Sequence, residues 1–274
     1  MNSFLAYMGG KSRLAATIIK TMPSHRCYVE VFCGAAWLLF KKDENLSQVE
    51  IINDINGDLV TLYRVIKHHL EEFVRYFKWC LIARDEFNRL RAERPETLTD
   101  IQRAARFYYL LKNGYSAKIP SPTFSNSPSS KPRLNLLRIE EELSAVHLRL
   151  ARVSIENLPY QTVLERFDRP DTLFYVDPPY YGCEDYYGKG VFDKNDFTVL
   201  KNILKDIKGL FILSINDVKP IRELFKKFHV ETVTTTYTAG GAHKALRVCE
   251  LLITNHAAQQ QTVNCKIQRG LRGV

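Results

Sequence analysis

A strand that is forced to stop constrains this chain most. Thr172-Leu173-Phe174-Tyr175-Val176 is an unbroken run of β-branched, aromatic and aliphatic residues, the pattern of a buried strand, and Asp177-Pro178-Pro179-Tyr180 follows at once. Two successive prolines, with fixed φ and no N–H, forbid the strand to continue. In an open α/β sheet, ligands bind outside the carboxyl ends of strands, and Asp177 is expected at such an end. The carbonyls beside Pro178 and Pro179 stay free to accept hydrogen bonds on a stiff backbone, and Tyr180 brings a ring. A carboxylate, a rigid carbonyl and an aromatic suit a planar substrate with an exocyclic amine. An ordinary strand exit capped by Asp is the plain alternative; the whole tetrapeptide on an apolar strand favours the site.

At 274 residues, with 45% hydrophobic and 25% charged residues, the chain can bury a sizeable core as one large α/β domain, or one with an insert. No apolar run reaches the roughly 18 residues of a membrane helix, and no apolar signal core opens the sequence, so a cytoplasmic location and no membrane partner are expected. A formal net charge of +9 favours a polyanionic partner, most simply nucleic acid. The six cysteines form no C-x-x-C pair and have no histidine at zinc spacing. Reduced, mostly buried thiols are expected, with neither disulfide nor metal.

Near the N-terminus, Tyr7-Met8-Gly9-Gly10-Lys11 precedes a helical pattern through Leu14, Ile18 and Ile19. Gly9 and Gly10 allow backbone to approach a ligand, and Lys11 can reach an anionic group, although the spacing is not that of a P-loop. A strand over 27–32 then runs into the small-residue turn Cys33-Gly34-Ala35-Ala36 and a helix through Trp37, Leu38 and Phe40. This is the nucleotide-binding corner of a doubly wound sheet, without the three-glycine fingerprint of pyrophosphate binding. A second strand, 49–52, delivers Asn53-Asp54-Ile55-Asn56, and an acid about twenty residues past the turn is placed to hold ribose hydroxyls. A nucleoside site without a diphosphate results, and S-adenosylmethionine fits it.

From 57 to 113 the pattern is helical, with stripes at Leu59, Leu62, Tyr63 and Ile66, at Phe73, Phe77 and Leu81, and at Ile101, Ala104, Ala105, Tyr108 and Leu111. Residues 112–139 differ: four prolines, many serines and the cations Lys112, Lys118, Lys131, Arg133 and Arg138, without an acid. That composition predicts a long irregular loop, and its cations, interleaved with Tyr115 and Phe124, suit phosphate contacts and base stacking. Beyond it the pattern predicts a helix near 140–150, a strand at 153–156 that brings Asn157 and Leu158 to the same crevice, and a helix over 160–167. After the Asp177 strand, the glycine- and tyrosine-rich stretch 181–192 suits a flap. A helix over 197–207, a strand over 210–214, a helix over 218–228 and a strand pair at 230–237 and 246–254 complete the reading.

Tyr7-Met8-Gly9-Gly10-Lys11, Phe32-Cys33-Gly34-Ala35, Asn53-Asp54-Ile55-Asn56 and Asp177-Pro178-Pro179-Tyr180, in that order, closely resemble the Dam-type (D12 class) DNA N6-adenine methyltransferases. The resemblance spans most of residues 1–254. It implies a Rossmann-like S-adenosylmethionine-dependent methyltransferase sheet built from 1–57 and 145–254. A mainly helical target-recognition insert, 58–144, would carry the basic loop 112–139, and 255–274 would be a basic tail. The cofactor would lie against Tyr7, Gly9, Gly10, Lys11, Phe32, Gly34, Asp54, Ile55, Asn157, Leu158 and Asp177. Asp177, Pro178, Pro179 and Tyr180 would act on a flipped adenine, and Lys112, Tyr115, Lys118, Lys131 and Arg133 would contact double-stranded DNA. No metal is implied, and a monomer or weak dimer is expected. Two departures stand out: the turn Cys33-Gly34-Ala35-Ala36 is bulkier than the family's glycine-rich one, and Asn113-Gly114-Tyr115-Ser116-Ala117-Lys118-Ile119-Pro120 lacks the arginine-rich recognition signature. A GATC target is therefore not implied. An RNA adenine or protein-glutamine methyltransferase, or a catalytically vestigial DNA-binding protein, is the competing reading.

Overall fold

The computed structural model describes residues 1–5, 7, 11–115, 121–128, 131–184, 188, 190–237 and 246–256. Gly9, Gly10, Lys118 and the tail from 257 onward lie outside the described residues. Seven strands, β1 (Cys27–Glu30), β2 (Val49–Asn53), β3 (Val153–Glu156), β4 (Thr172–Val176), β5 (Leu210–Asn216), β6 (His229–Tyr237) and β7 (Leu246–Thr254), form one sheet in the order β3-β2-β1-β4-β5-β7-β6. All pairings are parallel except those of β7, which runs antiparallel to β5 and to β6. The chain builds outward from β1 to β3, then returns to place β4 on the other side of β1. The β1/β4 junction is thus where the strand order reverses, and a crevice opens there by topology.

The helices are α1 (Ala15–Lys20), α2 (Trp37–Lys41), α3 (Gly57–His68), α4 (Leu70–Phe77), α5 (Arg84–Ala92), α6 (Asp100–Asn113), α7 (Ile139–Leu150), α8 (Tyr160–Phe167), α9 (Lys194–Asp206) and α10 (Lys219–Leu224). All five residues of β4 are buried, as a central strand covered on both faces requires. Tyr28, Leu173 and Tyr175 pack with α1 and Leu38 on one face. Val29, Phe174 and Val176 pack with Val163, Leu200 and Ile221 of α8, α9 and α10 on the other. Helices α3 to α7 share a separate core around Tyr63, Phe73, Phe87 and Tyr108, joined to the sheet through Ile52 and Val153.

Several expectations shift. The helix over 218–228 ends at Leu224, and Phe225 and Phe228 follow it in turns that bury them against Phe211, so their spacing reflects burial and not helix. Leu81 lies past the end of α4 and is 69% exposed, outside the core stripe. Helix α5 falls within the helical reading of 57–113 but outside its apolar stripes, since only Phe87 and Leu90 are buried along it. The thiols are less buried than expected: of the five described cysteines, only Cys33 is fully buried.

Candidate active site

The turn after β1 is fixed by backbone chemistry. Gly34 takes φ +48°, in the left-handed region that favours glycine, and a Cβ there would stand 3.1 Å from the Tyr7 ring, so a larger residue would strain the turn and press on the ring. The Gly34 N–H donates to Asp54 Oδ2 at 2.9 Å, and the Asn56 N–H donates to Oδ1 at 2.9 Å. Asn53 joins three segments: its amide donates to the Val31 and Leu158 carbonyls and accepts from the Leu158 N–H. Asn157 donates to the Asp54 carbonyl at 2.7 Å. The ends of β1, β2 and β3 are thereby locked around one carboxylate. Burial raises the Asp54 pKa, and the two amide donors oppose that rise.

Tyr7, Gly34, Asn53, Asp54 and Leu158 line a cavity of about 470 Å³, within the range of small-molecule sites. Of the expected site residues, Tyr7, Lys11, Phe32, Gly34, Asp54, Ile55, Leu158, Asp177 and Pro179 line it. Asn157 stands behind it, holding Asp54. Pro178 and Tyr180 are not part of its wall. From the expected flap, Val191 and Phe192 reach the cavity, and Phe192 is buried against Phe32, Tyr160 and Phe197.

Asp177 sits where β4 ends. Its Oδ1 lies 2.7 Å from the Lys11 ammonium and accepts the Ser214 hydroxyl at 3.0 Å, and Tyr175 and Ser214 share a further hydroxyl contact of 2.7 Å. Burial pushes the Asp177 carboxyl up to about 6, against the downward pull of Lys11 and Ser214. Lys11 also donates to the Tyr180 hydroxyl at 2.9 Å and stands 4.6 Å from its ring centre. That hydroxyl donates in turn to Glu250 Oε1 at 2.6 Å.

Three residues of this neighbourhood were not singled out from the sequence. Glu30, only 2% exposed, lines the cavity, accepts from the Tyr28 hydroxyl and the Leu39 N–H, and is pushed by burial up to about 8. Glu250 and Ser214 come from β7 and β5. The available signal for the two acids was their place in apolar runs, Glu30 at the end of β1 and Glu250 within 248–253 of β7.

A second cleft, also of about 470 Å³, opens in the helical block between Arg84, Lys112, Tyr115, Phe124, Lys131 and Arg133. The Arg84 guanidinium lies 5.2 Å from the Phe124 ring centre. Lys112 differs from its expected place: it belongs to the last turn of α6, not to a loop, and its ammonium lies over Tyr108, with its pKa lowered by burial. Helix α6 ends at Gly114, where a Cβ would stand 2.6 Å from the Leu110 carbonyl oxygen. The loop then folds back, the Tyr115 N–H donating to Thr123 and the Ser125 N–H to Asn113. Arg138 leaves the cationic set, paired with Glu141 at 2.9 Å. Lys131 and Arg133 line the cleft, and Tyr115 is 58% exposed.

A mostly parallel α/β sheet thus carries a cavity at its switch point, with Asp54 and Asp177 lining it from two strand ends. The profile of the D12 class N6 adenine-specific DNA methyltransferases matches residues 7–239, and the chain belongs to that family. It is 25% identical to the Type II methyltransferase M1.LlaDCHI of Lactococcus lactis subsp. cremoris over 93% of this chain and 96% of the relative. It is also 25% identical to the DNA adenine methylase of Escherichia coli K12, over 91% and 94% of the two chains. The enzyme is thus a DNA adenine methyltransferase, of a class whose methyl donor is S-adenosylmethionine. No helix among the described residues is long and apolar enough to cross a membrane.

Proposed function

We propose that the cavity holds S-adenosylmethionine and that Asp177 works on an adenine amine delivered from duplex DNA by the helical block 58–144. One observation supports this most: Asp54 and Asp177 line the same cavity from the ends of β2 and β4, on either side of β1. The donor set suits the cofactor. Asp54 offers oxygen to ribose hydroxyls, Phe32, Ile55 and Leu158 offer apolar surface to a purine, Lys11 offers a cation to a carboxylate, and the Gly34 cradle would be filled by a Cβ. When bound, that cofactor supplies a methyl group made electrophilic by its sulfonium.

The chain's own residues do the rest. An adenine must leave the helix to reach the strand ends, at a cost of a few kcal/mol. Stacking on Tyr180 would offset about 1 to 3 kcal/mol. The amine is a weak nucleophile because its lone pair is delocalised into the ring. The Asp177 carboxylate and the Pro178 carbonyl, each accepting one N–H, favour a pyramidal nitrogen with a localised lone pair. Holding that nitrogen in place supplies most of the rate. Lys11 and Ser214 both engage Asp177 through Oδ1, which leaves the other carboxylate oxygen for the amine. The cleft of Arg84, Lys112, Lys131 and Arg133 supplies phosphate contacts, with Tyr115 and Phe124 as stacking surfaces.

The test is methylation of unmodified genomic DNA by the purified protein with labelled S-adenosylmethionine, followed by nucleoside analysis and modified-base sequencing. N6-methyladenine in a short recurring context is expected. Label in RNA or protein, with none in DNA, would overturn the assignment of the helical block to DNA.

A further inference from the structure

Glu250 is 1% exposed in β7, among apolar neighbours Leu251, Leu252 and Ile253. A buried carboxylate is unfavourable unless its surroundings use it. Here it accepts the Tyr180 phenol proton at 2.6 Å, while the phenol oxygen accepts from Lys11 at 2.9 Å. The Tyr180 hydroxyl is therefore held through both its proton and its lone pair. In the sheet register, Glu250 lies opposite Asn216 of β5. Asn216 accepts from the Tyr181 N–H at 2.9 Å and donates to the Tyr181 carbonyl at 3.1 Å. One register pair of the β5–β7 ladder thus grips both the side chain of residue 180 and the backbone of residue 181.

We infer that Glu250 is a positioning residue, which fixes the Tyr180 ring through its hydroxyl in the orientation that receives the target base. The inference rests on the reading of Tyr180 as the stacking surface. Glu250 touches neither base nor methyl group. It acts by removing the rotational freedom of the ring before DNA arrives, so that the base meets a preorganised face.

Three variants separate this role from a merely structural one: Glu250→Leu removes the acceptor, Glu250→Gln keeps an oxygen that can accept the phenol proton, and Tyr180→Phe keeps the ring but breaks the same bond from the other side. The measurements are kcat with unmethylated genomic DNA, KM for S-adenosylmethionine, and the melting temperature. Glu250→Leu is expected to lower kcat roughly ten- to hundredfold, with KM for the cofactor within about threefold of wild type. Glu250→Gln is expected to recover kcat to within about threefold of wild type, and Tyr180→Phe to lose as much as the Leu variant. In the Tyr180→Phe background, Glu250→Leu should cost nothing further. The inference is overturned if Gln is as slow as Leu, since the charge toward Lys11 would then matter and not the phenol bond. Losses that multiply in the double variant also overturn it. So does wild-type kcat in Tyr180→Phe, whatever the stability of Glu250→Leu. Failure of the underlying reading looks different: the wild-type protein would form no N6-methyladenine, or Tyr180→Ala would keep the full rate.

Discussion

Replacing Glu30 by Gln should make the protein more stable at alkaline pH and leave it unchanged in acid. The carboxyl is 2% exposed on β1, with one oxygen accepting from the Tyr28 hydroxyl at 3.1 Å and the Leu39 N–H at 3.2 Å. Burial, reinforced by the nearby Asp177 charge, moves its titration from 4.5 up to about 8. Between those values the folded chain keeps a proton that the unfolded chain has released, so stability falls as pH rises through that window. At about 1.4 kcal/mol per pH unit, the loss by pH 8 is on the order of 4 kcal/mol. A glutamine oxygen can accept the same two donors, and its amide does not titrate. Urea denaturation of both proteins at about pH 4, below the window, and at about pH 8.5 isolates this group, because every other titration is common to the pair. The variant should match wild type at the lower pH and exceed it by a few kcal/mol at the higher one. Equal stabilities at both would show that Glu30 ionises normally and refute the burial argument.

The proposed role of Asp177 needs the carboxylate, a stronger acceptor than the neutral acid, so kcat/KM should fall as pH drops through about 6. In Lys11→Met the ammonium 2.7 Å away no longer stabilises the carboxylate, and the midpoint of that limb should move upward; an unmoved limb would detach it from Asp177. Glu50 is paired with both Lys42 and Arg149 at 2.5 Å, so Glu50→Ala leaves two buried cations without their counter-charge and should cost about 3 to 5 kcal/mol, read by denaturation. Neutralising Lys131 and Arg133 to Gln should reduce the slope of log affinity against log salt by about 0.9 for each phosphate that is no longer neutralised; an unchanged slope removes the cleft from the DNA surface.

The parts of the site legible in the sequence are those written locally. Two prolines after an apolar strand ended β4 at Asp177, and a small-residue turn followed twenty positions later by an acid placed Asp54 against Gly34. What was not legible comes from residues that meet only through the sheet. Tyr180 and Glu250 are 70 positions apart and become neighbours because β7 inserts antiparallel beside β5, which no periodicity announces. From its position after the prolines, Tyr180 reads only as a ring for stacking, whereas its hydroxyl is tied at both ends. Lys112 looked like part of a proline-rich loop because the composition changes there, but the helical hydrogen bonds of α6 run to Asn113 and carry it into the last turn.

In the proposed function, Asp177 performs the chemistry at a site whose cofactor pocket stands without it. Asp177→Ala, compared with wild type for methyl incorporation into unmodified DNA and for binding of S-adenosylhomocysteine by calorimetry, tests it most directly. N6-methyladenine formation should be abolished while the ligand still binds a folded protein. A variant that keeps even about a tenth of the wild-type rate would contradict it, because losing a group that acts on the reacting amine must cost far more than tenfold.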